Sequence, residues 1–421
     1  MKRLLYLLII LAAIAAVILV GYFLRYRSSG TPSEQELSAG GLPTAPQQGG
    51  ATQPAQGQTP SETAGQQPAA GIPAGQKFGV VAQNPVNNYF VDSQNNVFIV
   101  QPDGQVIEIS GGNANVLSSA AIINLIGSSF SYDGKKILAA FGDPTAPQYS
   151  VFDIATKAWQ PLAQNLKSVV WSPNDYRVAY FSESGGVSAL TTLDTSDAKA
   201  KPAELLKIRV HDLTLIWNNT DQILLSDKGS AFSAGSIWSF DISRKTLNAI
   251  VEDFPGLESV WGGTVNIGLV FSANSGGHGG NLRLIDTSGN TLNALSILTL
   301  PSKCTFDVQP QIMSKAPTST TGAKATSTQT ASAATSTPKT LYCAIPRDQQ
   351  KLVSSALPDD YQKKNLFTAD DFYKIDLLSG GVSSVFNDQS RALDADNPKI
   401  FNQNLFFVNR FDSKLYAVSL K

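Results

Sequence analysis

An all-β β-propeller of about seven blades is the fold class that the sequence predicts, on three observations. A strand–polar turn–strand unit recurs along the chain: residues 169–182 (VVWSPNDYRVAYFS) are its plainest copy, and 130–138 and 217–224 repeat it. The anchor aromatics Phe130, Trp171, Trp217 and Trp261 stand 41, 46 and 44 residues apart, the period of a blade built from four strands. Charged residues make up only 15% of the 421, with 33 glycines among them, a balance suited to strands joined by tight turns.

Ahead of the propeller, Lys2 and Arg3 precede an uncharged run over residues 4–24. At about 1.5 Å per residue a helix of that length spans roughly 30 Å, the thickness of the hydrocarbon core. A cleaved signal peptide has a shorter apolar region and a small-residue cleavage site. Here the run ends in Tyr22, Phe23, Leu24, Arg25, Tyr26 and Arg27, residue types that suit a membrane interface. Residues 1–27 therefore read as a retained, single-pass transmembrane signal anchor. Its orientation is not set by charge, because Lys2 and Arg3 balance Arg25 and Arg27.

Residues 28–76 contain no aromatic, Lys or Arg and are dominated by Pro, Gly, Gln and Ala. Such a segment buries too little apolar area to offset its backbone entropy and reads as a disordered linker. About 50 residues of this kind reach roughly 40 Å.

Strand signals start at Phe78, and the propeller is read over 77–421. The first unit holds Tyr89, Phe90 and Val91, then 97–100, then a Pro102-Asp103-Gly104 turn into 106–109. Units follow Phe130, Trp171, Trp217 and Trp261; a sixth spans about 303–386, and a seventh holds 405–408 and 415–418. Six or eight units also fit the irregular ends. The last unit is one strand short, and residues 78–82, which precede the first full unit, are expected to complete it, since an open ring leaves an exposed strand edge.

The motif aromatic-Ser-x-Asp-Gly-Lys-Lys-Ile at 130–137, with its partner strand at 151–154 and a second copy at 172–180, resembles the WD40-like (PD40) repeats of TolB-type propellers. The resemblance is sharp in two or three units. It implies a propeller that binds partners, and family membership by itself assigns no activity. Lys303-Cys304, Tyr342-Cys343-Ala344-Ile345-Pro346 and Leu357-Pro358-Asp359-Asp360-Tyr361 also resemble stretches of membrane-anchored propeller proteins of uncharacterised function from bacteria with small genomes.

Candidate chemistry is sparse. A formal net charge of −1 provides no basic field for nucleic acid. Two histidines, His211 and His278, and two cysteines leave little for an imidazole or thiolate metal site. Asp103-Gly104 and Asp133-Gly134 read as hairpin turns in which Gly supplies a positive φ. The run 272–280 (SANSGGHGG) lacks the Lys-Ser/Thr of a phosphate loop and reads as a mobile hairpin loop. Asp359, Asp360, Asp370 and Asp371 form the densest acidic cluster. They read as solvated loop carboxylates, with Ca²⁺ ligation or acid–base work as the sharper alternatives. The recurring tryptophans read as packing between blades. Residues 314–339, rich in Thr, Ser and Ala, read as a low-complexity insertion within one blade.

The repeat also supplies a register for Cys304 and Cys343. A tight turn at 173–176 places Trp171 opposite Val178 and therefore Val169 opposite Tyr180. Aligning Phe306 with Trp171, and Leu341 with Val178, sets Cys304 opposite Cys343 on adjacent antiparallel strands, within disulfide reach. A disulfide implies an oxidising compartment, so the propeller is expected outside the membrane. The expected function is a non-enzymatic binding or scaffolding module for a protein, peptide or envelope polymer, monomeric, with no cofactor, metal or nucleic acid. The alternative is an extracytoplasmic enzyme acting on a glycan or other polymer, with carboxylates from different blades at the channel mouth.

Overall fold

A computed structural model describes residues 76–210, 212–227, 229–263, 266–307 and 340–421. Among them, seven four-stranded antiparallel sheets follow one another as blades. Their innermost strands are Asn88–Val91, Leu125–Phe130, Leu166–Trp171, Thr214–Asn219, Glu258–Trp261, Cys304–Phe306 and Ala395–Phe401. The sheets are meanders, as hairpin turns between alternating strands dictate. The seventh is the exception: Phe78–Ala82 pairs with Leu415–Ser419, setting Phe78 opposite Val418 and Val80 opposite Tyr416. The expected closure by the first strand is thus observed, and the seven-blade reading holds.

These residues fall within one of the chain's two units, Ala45–Lys421; the other, Met1–Thr44, lies outside the described residues. So do the expected anchor over 1–27, all but the last residue of the linker 28–76, the insertion at 314–339, and His211. No helix among the described residues is long and apolar enough to cross a membrane.

The anchor aromatics hold blade to blade. Phe130 packs with Val100 and Val106 of blade one, and Trp171 with Leu138 and Val151 of blade two. Trp217 packs with Ala179 and Phe181 of blade three, and Trp261 with Leu224 and Ile237 of blade four. Trp171 also donates its Nε1–H to the Ser129 carbonyl of the preceding blade at 3.1 Å. Large rings with one polar edge fill such seams well. The Asp-Gly turns are as expected: Gly104 has φ +87° and Gly134 φ +75°, and a Cβ on Gly134 would stand 2.2 Å from the Phe90 ring.

Up-and-down strands distribute the turns between two faces of the ring. One face carries the turns between second and third strands and the blade-to-blade connections. The opposite face carries the remaining turns and the entry of the chain, where Lys77 Nζ donates to the Lys421 carbonyl at 2.8 Å. Asp307 and Thr340, which flank residues 308–339, meet on that entry face through Asp307 N–H to Thr340 O at 3.0 Å.

Candidate functional site

Turns on the face opposite the entry are short, two residues in blade three (185–186), except in blade six. There, residues 347–369 fold into a cap with two short helices, α1 (Gln349–Val353) and α2 (Asp359–Gln362). Leu352, Leu357, Tyr361 and Leu366 of this segment are buried in the core shared by blades five and six. Those side chains explain why the cap lies down on the ring instead of standing in solvent.

Polar contacts fix its edges. Asp348 caps α1 by accepting from Lys351 N–H at 3.1 Å. Asp359 accepts Ala231 N–H from the blade-four turn at 2.6 Å, and Asp360 accepts Ala356 N–H at 2.8 Å. Gly279 N–H, in the blade-five turn, donates to Ser355 O at 3.0 Å. The 272–280 run is thereby tied to the cap, with His278 paired to Ala356 and edge-on to Phe232.

Under the cap lies a buried ionic hub. Lys303, at the end of the 3₁₀ turn Pro301–Lys303, is fully buried. Its Nζ donates to Asp394 Oδ1 at 2.5 Å, Asp370 Oδ2 at 2.7 Å and Thr368 Oγ1 at 2.9 Å. Arg410, from blade seven, donates to Asp394 Oδ2 at 2.9 Å and to Tyr361 O at 2.7 Å, with its guanidinium 3.6 Å from the centre of the Tyr361 ring. Two cations and two carboxylates balance, as buried charge requires. Burial drives the Tyr361 phenol well above its ordinary pKa, with Asp394 adding to it. Loss of water also raises the Asp370 carboxyl, against the opposing charge of Lys303.

Further carboxyls stand at the same end of the innermost strands. Glu258 of blade five accepts Ser302 N–H at 2.8 Å through Oε1, while Oε2 has no partner among the described residues. Burial raises the pKa of Glu258 and of Asp396 in blade seven, and Asp396 adds to the rise at Glu258. Both residues are only partly covered. Farther along the blade-seven strand, Lys399 donates to Asn88 Oδ1 at 2.7 Å and to Tyr89 O at 3.1 Å. Burial lowers its pKa to about 8.

Between the cap and the blade-seven turn runs an apolar groove of about 270 Å³, lined by Pro346, Asp348, Lys351, Phe367, Ala369 and Phe411. Phe367 and Phe411 stack at 5.4 Å, and Arg410 lies 4.7 Å from the Phe367 ring, which fixes this wall to the hub. Phe411 is 50% exposed. The same face presents Phe232 at 70% and Val353 at 48% exposure.

The acidic cluster needs correction. Asp370 and Asp371 are not solvated loop residues; they begin the strand Asp370–Asp376 and are buried. Lys303 neutralises Asp370, and Arg347 Nε pairs with Asp371 Oδ1 at 2.8 Å. Asp359 holds the cap to the blade-four turn, Asp360 braces the cap internally through Ala356, and both are half-buried. The four do not converge on one point, and no group of three or more His, Cys, Asp or Glu among the described residues is placed to hold a metal ion.

Cys304 and Cys343 stand opposite each other and are bonded, with Cα atoms 4.1 Å apart. The register used to place them is also observed, Trp171 opposite Val178 and Val169 opposite Tyr180. Sequence reasoning missed the hub members Lys303, Thr368, Asp394 and Arg410. The one local signal was the spacing of Leu352, Leu357, Tyr361 and Leu366, apolar residues at four- to five-residue intervals in a segment otherwise read as an acidic loop.

With this geometry the chain can be set beside known proteins. No family model matches it, and no curated protein is similar to it by sequence. Solved structures do match. Oligogalacturonate lyase from Vibrio parahaemolyticus aligns over 80% of this chain and 90% of its own at 9% identity, TM-score 0.51. The fold is the seven-bladed β-propeller. TolB from Acinetobacter baumannii aligns at 16% identity, TM-score 0.37, over 50% of this chain and 54% of its own, so the chain spans about half of TolB. The β-propeller domain of the Trilobed protease from Pyrococcus furiosus aligns over 80% of this chain and 96% of its own at 10% identity, TM-score 0.47. Similar structures therefore include TolB together with lyase and protease propellers, and at these identities the likeness is one of fold.

Proposed function

We propose that the propeller is a non-enzymatic binding module, held outside the cell membrane by the N-terminal segment, whose cap face engages a protein, peptide or envelope polymer. The supporting observation is the groove between the cap and the blade-seven turn: an aromatic wall, half exposed, on a scaffold made rigid by the buried hub. Exposed aromatic side chains clustered on one face give such a module a surface for recognition. The disulfide supports an oxidising location.

Cross-linking on intact cells, followed by identification of what is captured, tests the reading. Wild-type protein should capture a defined partner and Phe411→Ser should lose it while keeping its fold. Equal capture by both would sink the assignment of the groove. Fractionation tests the location: the chain should sediment with membranes, and protease should release a folded fragment beginning near Phe78. Recovery of the intact chain in the soluble fraction would overturn the tether.

The enzymatic alternative is favoured by one observation, the raised pKa of the Glu258 and Asp396 carboxyls on residues that are themselves only partly covered. It requires that Glu258→Gln and Asp396→Asn abolish turnover of an envelope glycan. Absence of any glycan cleavage by wild-type protein would remove it.

A further inference from the structure

We propose that Lys303 and Asp370 condense in the folded protein into an intramolecular isopeptide bond, with Asp394 as the proton acceptor. Both side chains are fully buried and in contact, Nζ to Oδ2 at 2.7 Å. The ammonium has three protons but four acceptors within reach: Asp370 Oδ2, Asp394 Oδ1, Thr368 Oγ1 and, at 3.2 Å, Ala395 O.

The two carboxyls are treated very differently. Asp394 is saturated. Its Oδ1 accepts from Lys303, from Thr368 Oγ1 at 3.0 Å and from the Tyr361 hydroxyl at 3.1 Å; its Oδ2 accepts from Arg410 and from Thr368 N–H at 3.2 Å. Asp370 Oδ2 accepts from Lys303 and from Ala395 N–H at 2.9 Å, whereas Oδ1 is buried with no partner among the described residues. A buried, unpaired carboxylate oxygen carries a large desolvation cost. Burial raises this carboxyl's pKa against the opposing charge of Lys303, so within the ion pair Oδ1 readily takes up the proton it needs to leave as water.

The reaction balances with no co-reactant. Asp394 accepts a proton from the Lys303 ammonium, and the neutral amine attacks Cγ of Asp370. The Nζ–Cγ bond forms and the Cγ–Oδ1 bond breaks. Oδ1 departs as water with two of the three ammonium protons, one of them relayed through Asp394. One cation and one anion disappear together, so Asp394 and Arg410 remain a balanced pair.

The product resolves each irregularity of the hub. The unpaired oxygen is the atom that leaves. The remaining amide oxygen keeps Ala395 N–H, and the amide N–H keeps Asp394 Oδ1. The single proton of the Tyr361 hydroxyl, within reach of both Asp394 Oδ1 at 3.1 Å and Ala395 O at 3.2 Å, turns to Ala395 O once the ammonium is gone. Exclusion of water around the site protects the amide from hydrolysis.

The place of the bond is also informative. Cys304–Phe306, three residues long, is the shortest strand among the described residues. The disulfide ties it to the second strand of its blade, and the isopeptide would tie it to the third, beginning at Asp370.

Tandem mass spectrometry of the full chain, reduced, alkylated and digested, decides the matter. The expected result is one branched peptide joining Lys303 to Asp370, lighter than its two parts by one water, with no tryptic cleavage after Lys303. Two free peptides of full mass would overturn the proposal, as would a water lost within a single unbranched peptide. In Asp394→Ala the branched peptide should be absent; its persistence would overturn the role of Asp394. Should that variant fail to fold, the wild-type map still decides the bond.

Discussion

Phe78, the first residue of the first strand, stacks on Phe386, the last residue of the outermost strand of blade six, with centroids 4.9 Å apart and planes 5° from parallel. It also stacks on Tyr416, at 5.4 Å, in the strand it pairs with. The closing strand is thus pinned sideways to the adjacent blade as well as along its hydrogen-bonded edge.

Phe78→Ala should therefore lower stability by about 2 kcal/mol, below the cost of a fully buried Phe because this ring is partly exposed. Removing Phe78–Ala82 entirely should uncover the edge of Leu415–Ser419 and produce concentration-dependent oligomers. Urea denaturation and light scattering measure the two effects, and a monodisperse monomer after the deletion would contradict the closure.

Arg410→Met is expected to cost about 3 kcal/mol, because it removes a charged partner from a fully buried carboxylate and leaves Oδ2 only the Thr368 N–H. It should also loosen the Phe367–Phe411 wall, since Arg410 lies against Phe367. A denaturant midpoint equal to wild type would show that Asp394 does not depend on Arg410.

Neither cysteine should react with a thiol reagent in protein taken from its native host, denatured without reductant. Reduction should cost about 2–4 kcal/mol, the range for closing a loop of this size, with a sequence separation of 39. Two labelled cysteines would defeat both the bond and the argument for an oxidising compartment.

Lys399 gives a signed pH dependence. Burial lowers its folded pKa to about 8 from 10.5. Below about 8 both states hold the proton and this group contributes no slope. Between about 8 and 10.5 the unfolded chain holds a proton that the folded protein has shed, so stability should rise with pH, by a total on the order of 1–3 kcal/mol. Lys399→Met should remove that rise. Parallel pH profiles for wild type and variant would refute the assignment.

The architecture was legible because a blade is a local object: its strands are neighbours in sequence, its period is set by four of them, and its register follows from one turn. That locality extended to Cys304 and Cys343, although residues 308–339 intervene, because the strands flanking them keep the repeat's pairing. It did not extend to the hub. Lys303, Thr368, Asp370, Asp394 and Arg410 come from blades six and seven and from the cap between them, and no strand periodicity relates one to another. Asp370 illustrates the difficulty. Beside Asp371 it resembles a solvated turn, and only the lysine delivered from the start of the blade makes it a buried partner.

The first strand enters from the face opposite the cap and is paired along its length, at Phe78, Gly79, Val80 and Ala82. A force drawing Gln76 away from a partner seated on the cap would act parallel to that strand. Its ladder bonds would then be loaded together in shear, not peeled one after another from an end. The seam that closes the ring is by the same geometry the joint through which tension would reach the propeller, and rupture there would be governed by an unfolding rate.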